Sequence, residues 1–283
     1  MADAPGQSTP QGAAEDNMKD VKHIIAVASG KGGVGKSTTS VNLALALAQQ
    51  GAKVGIVDAD IYGPSLPMML GVAEGTRPEI VDQKFFIPVE VQAIKSMSMG
   101  YLTTEQTPMV WRGPMASGAL LQILTQTLWG ELDYLVVDMP PGTGDIQLTL
   151  AQKAQLSGAV IVTTPQDIAL LDARKAIEMF YKVNIPVLGI VENMAVHSCS
   201  QCGHQEHIFG EGGGQKVAAE YDTEVLGALP LSLDIRKQAD SGKPSVISEP
   251  DGVAAKAYGQ IASNVIALLA DKASPGGPEI VIE

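Results

Sequence analysis

Eight residues near the amino end, Gly30-Lys31-Gly32-Gly33-Val34-Gly35-Lys36-Ser37, carry the clearest chemistry in the chain. They fit the pattern G-x-x-x-x-G-K-[ST], in which glycines admit positive φ and let main-chain N–H groups close around phosphates. An aliphatic stretch, 24–28, precedes the loop and a helical pattern, 38–50, follows it, which is the setting this motif needs. The helix adds the partial positive charge of its amino end. On this reading residues 30–38 hold a nucleoside triphosphate. Lys36 reaches the β- and γ-phosphates, Ser37 ligates Mg2+, and Thr38 lies near the α-phosphate. As a loop residue, Lys36 is expected at the surface, where it contributes little to the core. A glycine-rich turn with chance lysines is the competing reading, and it leaves the flanking strand and helix unexplained.

Two other places hold side chains suited to chemistry. Asp138 ends the apolar run Leu135-Val136-Val137, where a carboxylate can hold Mg2+ through its water. Strand-end aspartates also cap turns, and that reading stays open for Asp138 and for Asp58. Cys199-Ser200-Gln201-Cys202-Gly203 contains both cysteines of the chain. The C-x-x-C spacing lets two thiolates converge on one metal, which is half of a tetrahedral site. His204 and His207 could complete it, although the gap from Cys202 to His204 is short for a zinc finger. Two copies in a symmetric dimer would supply four thiolates instead. A redox dithiol and a zinc knuckle are the remaining alternatives.

The loop is unusual in beginning with a second lysine, Lys31, placed to reach another subunit's nucleotide or to face water. The pattern KGGVGK[ST] resembles the deviant Walker A family that includes MinD, ParA and the nitrogenase iron protein. That resemblance implies that Lys31 crosses a dimer interface to the partner's phosphates. Asp58-Ala59-Asp60-Ile61-Tyr62-Gly63-Pro64-Ser65 looks like the family's first switch, with Asp60 positioning the attacking water, and residues 138–145 look like the second. Asn193 matches the adenine-reading asparagine, against the plainer reading of a turn residue.

Taken together, KGGVGKST, DADIYGPS, Trp111-Arg112-Gly113-Pro114-Met115, DYLVVDMPPGTGD, Glu192-Asn193-Met194 and the C-x-x-C with Ile208–Gly214 beyond it resemble the Mrp/ApbC family of iron–sulfur cluster carriers. The likeness runs from about residue 22 to 270. It implies a homodimer that binds a [4Fe-4S] cluster between paired Cys199 and Cys202, passes it to apoproteins, and is regulated by ATP. The chain lacks the extra amino-terminal cysteines of eukaryotic cytosolic relatives, so no second cluster is expected. The small amino-terminal domain that many bacterial members carry is not expected either, on the sequence from residue 1 to 20. A spatial-positioning ATPase like MinD or ParA, and a reductase like the nitrogenase iron protein, are the other classes to weigh. Against the reductase, its cluster cysteines are far apart in sequence.

These residues need a scaffold, and the sequence describes one. The chain has 283 residues, 45% hydrophobic, with only four Phe and two Trp, so its core is aliphatic. Such filling suits a parallel sheet covered by helices on both faces. About six strands alternate with helices, which predicts one α/β domain: a three-layer, doubly wound, mostly parallel sheet with its ligands at the carboxyl ends of the strands. That domain is expected over 21–272, with the metal loop at 194–210. Residues 1–20 read as a disordered tail and 273–283 as a flexible one. Phe85–Ile87 and Val89–Ile94, parted by Pro88, suggest an antiparallel hairpin at the sheet edge. The net charge of −12, from 31 acidic against 19 basic residues, argues against nucleic-acid or anionic-membrane binding. No apolar run approaches the roughly 20 residues of a membrane helix. The first twenty residues resemble no leader, so a cytoplasmic location is expected.

Overall fold

In a computed structural model the described residues are 16–102 and 113–273. In chain order the elements are β1 (Val21–Ala28), α1 (Lys36–Gln49), β2 (Val54–Asp58), α2 (Leu66–Met69), β3 (Ile80–Val81), β4 (Phe85–Phe86), β5 (Val89–Val91) and β6 (Ile94–Ser98). There follow α3 (Gly113–Gln126), β7 (Leu132–Asp138), α4 (Asp145–Lys153), β8 (Gly158–Thr163), α5 (Asp167–Lys182) and β9 (Val187–Ser198). The last are β10 (Gln205–Glu206), α6 (Gly213–Glu220), β11 (Val225–Leu231), α7 (Leu233–Asp240), α8 (Ser245–Ser248) and α9 (Val253–Ala273).

The main sheet runs β5-β6-β2-β7-β1-β8-β9, with β11 beyond β9 and β10 pairing the far end of β9. Every pairing from β6 to β11 is parallel, and only β5 and β10 run antiparallel. Both faces are covered, so the central strands are buried on each side. Ile24, Ala26 and Ala28 of β1 join one core, with residues of α3, α4 and α5, while Ile25 and Val27 join the other, with residues of α1 and α9. The fold is thus the three-layer, doubly wound α/β arrangement expected from the alternation. Strand order reverses beside β1, where ligand crevices form in such sheets.

Several expectations need correction. Phe85–Phe86 does not pair with the following strand; it pairs with Ile80–Val81 in a separate two-stranded sheet. The edge hairpin is Val89–Val91 with Ile94–Ser98, turned by Gln92 and Ala93 at φ 50° and 64°, and β6 then lies parallel to β2. The expected tail over residues 1–20 falls mostly outside the described residues, but 16–20 are tied down. Asn17 donates to the Thr125 carbonyl and Leu132 N–H to that of Asp20. The polar stretch 194–210 is partly strand, because β9 continues to Ser198. By length and composition alone α9 could cross a membrane, contrary to the reading that no such run exists. Its stripe of Tyr258, Ile261, Ala262, Val265 and Leu269 is buried in the core instead.

Candidate functional site

Sheet register builds the first site. Asp138 pairs with Val27 of β1 and with Asp58 of β2, so two buried carboxylates end neighbouring strands beside the loop that leaves β1. The loop enters α1 through Gly35, whose φ of 87° is left-handed. No side chain caps that helix end, which leaves its first-turn N–H groups for an anion. A Cβ on Gly35 would also stand 2.1 Å from Asn193 Nδ2. Asn193 donates to the Val34 carbonyl at 2.8 Å and accepts from Met194 N–H, so both ends of its amide bind main chain. The second switch is stitched to the loop by Gly142 N–H donating to the Ser29 carbonyl. Gln147, unremarked in the sequence, holds that turn through the Pro141 carbonyl at 2.6 Å.

Lys36, Ser37, Thr38 and Asp60 line one cavity of about 190 Å3 together with Gly32, Gly33, Gly35 and Pro141. A larger hollow of about 420 Å3 lies near Lys182 at the opposite end of the sheet, with that lysine its only charged group. The polar chemistry is gathered in the smaller one. Lys36 is not the surface residue expected from its place in a loop. It is 6% exposed, and its ammonium lies 2.7 Å from Asp138 Oδ1 and 3.2 Å from Ser37 Oγ. Asp138 Oδ1 also accepts from Ser40 Oγ at 2.6 Å, while Oδ2 is buried without a hydrogen-bond partner. An orphaned carboxylate oxygen beside a hydroxyl at a phosphate loop suits a hard cation such as Mg2+, which takes oxygen ligands and keeps its waters.

Asp58 is bound on every side. Its Oδ1 accepts from Asp60 N–H, and its Oδ2 from Ser65 N–H, Leu66 N–H and Ser98 Oγ, at 3.0–3.2 Å. It therefore pins the first switch to the strand end, which is the capping role left open from sequence. Burial, and then the charge of Asp138, push its carboxyl up to about 7 against those N–H bonds. Burial also raises Asp60, with Lys36 opposing. Lys31 is half-buried, makes no ion pair among the described residues, and its carbonyl accepts from Ser29 Oγ.

The buried pair changes what a lysine deletion does. Lys36→Ala should abolish nucleotide binding and also destabilise the fold by about 3–5 kcal/mol, because Asp138 is left buried and uncompensated. Lys36→Gln keeps a hydrogen-bond donor for Asp138 and should lose affinity with a smaller fall in Tm. Fluorescent-nucleotide titration and thermal unfolding of both variants separate the two effects. Parent-like affinity in a folded Lys36→Gln protein would sink the phosphate-binding role.

The cysteines sit on a ribbon. Beyond Met194, at φ 58°, β9 runs to Ser198, and β10 pairs back with Ser198 and His197. Residues 199–204 form the tip, closed by Cys199 N–H to the His204 carbonyl at 2.9 Å and Gly203 N–H to the Cys199 carbonyl at 2.8 Å. Gly203 takes φ 72°, in the left-handed region that favours glycine. Cys199 is half-buried and Cys202 exposed, both free thiols. The N–H of Gln201 first, then that of Cys202 and the Cys202 side chain, hold the Cys199 thiol below its ordinary range. Alkylation of Cys199 by iodoacetamide should accordingly show a pH midpoint below the roughly 8.5 of a free thiol. A midpoint at or above that value would refute the preorganised N–H contacts.

His207 does not join the cysteines. Its Nδ1 contacts the Ala195 carbonyl at 2.7 Å, and its Nε2 lies 3.8 Å from Glu211. Among the described residues no three His, Cys, Asp or Glu side chains converge where a metal could sit. Buried Glu192 accepts from Gly214 N–H and so ties the start of α6 to β9. Asn193, on β9 against the phosphate loop, and Cys199, the residue after that strand ends, are six positions apart in sequence, at most about 20 Å. Trp111 and Arg112 lie outside the described residues.

Comparison with known proteins shows the family of the chain. The family model for NUBPL iron-transfer P-loop NTPases of the ParA type matches residues 20–266. An iron-sulfur cluster carrier protein from Pseudomonas fragi is 68% identical over 245 residues, covering 87% of this chain and 85% of its own. The mouse iron-sulfur cluster transfer protein NUBPL is 53% identical, with coverage of 91% and 80%. A nucleotide-binding protein from Archaeoglobus fulgidus, solved in complex with ADP, superposes with a TM-score of 0.74 at 40% identity, covering 85% of this chain and 93% of that one. The chain belongs to the ParA/NUBPL iron-transfer family of P-loop NTPases, and it is an ATPase.

Proposed function

We propose that this ATPase assembles a [4Fe-4S] cluster between the Cys199–Cys202 turns of two copies of the chain and delivers it to apoproteins. The observation that carries the reading is the turn itself. Two free thiols sit at the tip of a ribbon, one of them lowered by main-chain N–H groups, and no third ligand from the described residues of the same chain is near. A thiolate is the form that binds iron, so an N–H-stabilised Cys199 favours capture. A half-site open to solvent suits a cargo that must leave again. The cluster is substrate here, held by four thiolates across a two-fold axis. The 68% identity to a named carrier supports the same reading.

The nucleotide site is the control element. Lys36 binds the phosphates, with the main-chain N–H groups of Gly30–Thr38, while Asn193 lies beside the adenine. Ser37 holds Mg2+, with Asp138 beside it through Oδ2. The ion supplies neutralisation of the phosphate charge when bound. Asp60 orients the attacking water, and Lys31 reaches the nucleotide of the partner subunit. Recipients are apoproteins that need a cluster, and cytoplasmic location belongs to the same reading.

Anaerobic reconstitution with ferrous iron and sulfide, followed by addition of an inactive apo-[4Fe-4S] enzyme, tests it. The protein should turn brown and should activate the recipient faster than the same amount of free iron and sulfide. A colourless product would favour a positioning ATPase of the MinD or ParA kind. A brown protein that transfers no faster than free ions would leave a cluster-containing enzyme that is not a carrier.

A further inference from the structure

We infer that Ser40 is a positioning residue for the metal–nucleotide complex: its hydroxyl fixes the Asp138 carboxylate so that Oδ2 is the oxygen offered to magnesium or its water. Ser40 lies one helical turn past Lys36 on α1 and is fully buried. Its Oγ lies 2.6 Å from Asp138 Oδ1 and 3.0 Å from the Lys36 carbonyl. A hydroxyl has one proton to donate, and the charged acceptor at the shorter distance takes it. A buried helical serine could instead give that proton to the carbonyl four residues back, so its own hydrogen bonding does not require the aspartate. The second contact therefore serves the aspartate rather than the serine.

Asp138 needs that service. The torsion that turns a carboxylate about its last bond is broad and roughly two-fold, so nothing intrinsic decides which oxygen faces which way. In this structure Oδ1 takes both Ser40 and Lys36, and Oδ2 is buried without a partner. Lys36 is a poor permanent anchor, because the same ammonium serves phosphate. Ser40 is rooted in the body of α1, with Val41 and Leu43 packed in the core beside it, and keeps its place whichever group Lys36 binds. Nothing in the spacing of the phosphate-loop motif marks this serine, since the motif ends at Ser37.

This inference rests on the magnesium–nucleotide reading above, and its test keeps the two apart. Mn2+ serves as the probe, and its free concentration is read by electron paramagnetic resonance in titrations of the full chain saturated with ADP. ADP affinity is measured separately in EDTA. Ser40→Ala should weaken Mn2+ binding about 10–100-fold, the usual cost of removing a residue that orients a metal's ligand. Metal-free ADP affinity should stay at the parent value, and Ser40→Thr should restore Mn2+ binding. Unchanged Mn2+ affinity in Ser40→Ala overturns the inference. So does an equal loss of metal-free ADP affinity, which would make Ser40 a residue of the fold alone. A parent chain that binds ADP but no Mn2+ would overturn the magnesium reading itself, and this inference with it.

Discussion

Either Cys199→Ala or Cys202→Ala should abolish cluster binding outright, with nucleotide affinity left near that of the parent. Each chain has two thiols, both in one turn, and a [4Fe-4S] cluster is normally held by four. Removing one thiol per chain leaves two per dimer, too few to hold the cluster. On the proposed reading the phosphate loop uses backbone N–H groups and Lys36, and neither cysteine lines its cavity, so the two losses separate. The same count fixes stoichiometry: reconstituted parent should carry about four iron and four sulfide per dimer, two of each per chain. Because the two halves are identical, the cluster should favour the dimer by mass action, and stripping it should weaken association at low protein concentration. Iron analysis with analytical ultracentrifugation reads both quantities. A monomer carrying a full cluster would contradict the shared site. The His204→Ala/His207→Ala double variant shows whether imidazoles had completed it. The contact of His207 with the Ala195 carbonyl leads us to expect that this variant assembles a cluster as the parent does.

The parts of this molecule that could be read from its sequence are those specified locally. The run of aliphatic residues before Gly30, the glycines, and the apolar helix after Ser37 declare strand, loop and helix without reference to anything distant. The carboxyl-end positions of Asp58 and Asp138 followed from the strands they terminate. Long-range facts were not legible. Phe85–Phe86 and Ile94–Ser98 have the composition of edge strands, and nothing local says that the first leaves the sheet while the second pairs with β2. Helices α7 and α8 are not legible because 233–248 is mostly polar, with Gly242 and Pro244 between them. Lys36 was expected at the surface because its motif gives a residue type and a position, whereas its burial comes from Asp138, 102 residues away. The contacts of Ser40 and Glu192 escaped for the same reason. Their partners are 98 and 22 residues distant, set by sheet register and by the return of α6.

Lys31→Ala should cost hydrolysis far more than binding. With Asp60 orienting the water and Lys36 binding the phosphate, as proposed above, the described residues that line the pocket bring no second cation to the charge that develops in phosphoryl transfer. A cation supplied at that point is worth about 10³–10⁵ in rate in related enzymes. Lys31 is the free candidate in the loop: its carbonyl is fixed by Ser29 Oγ, and its ammonium pairs with no carboxylate among the described residues. Gly30, the residue before it, is packed so closely on α5 that a Cβ there would stand 1.9 Å from the Asp172 carbonyl oxygen. Lys36 lines the phosphate cavity and is buried, whereas Lys31 is half-buried and is not among the residues lining it. If it acts across the dimer, two inactive variants should complement each other. A Lys31→Ala chain binds nucleotide normally but gives its partner no cation, whereas a Lys36→Gln chain binds none but still offers its Lys31. Mixing them should restore hydrolysis in the heterodimer at the nucleotide of the Lys31→Ala chain, giving turnover well above the sum of the two homodimers. Activity that stays at that sum, with heterodimers shown to form, would mean that Lys31 acts within its own chain or only faces water. An unchanged rate in the Lys31→Ala homodimer would exclude any role for it in hydrolysis.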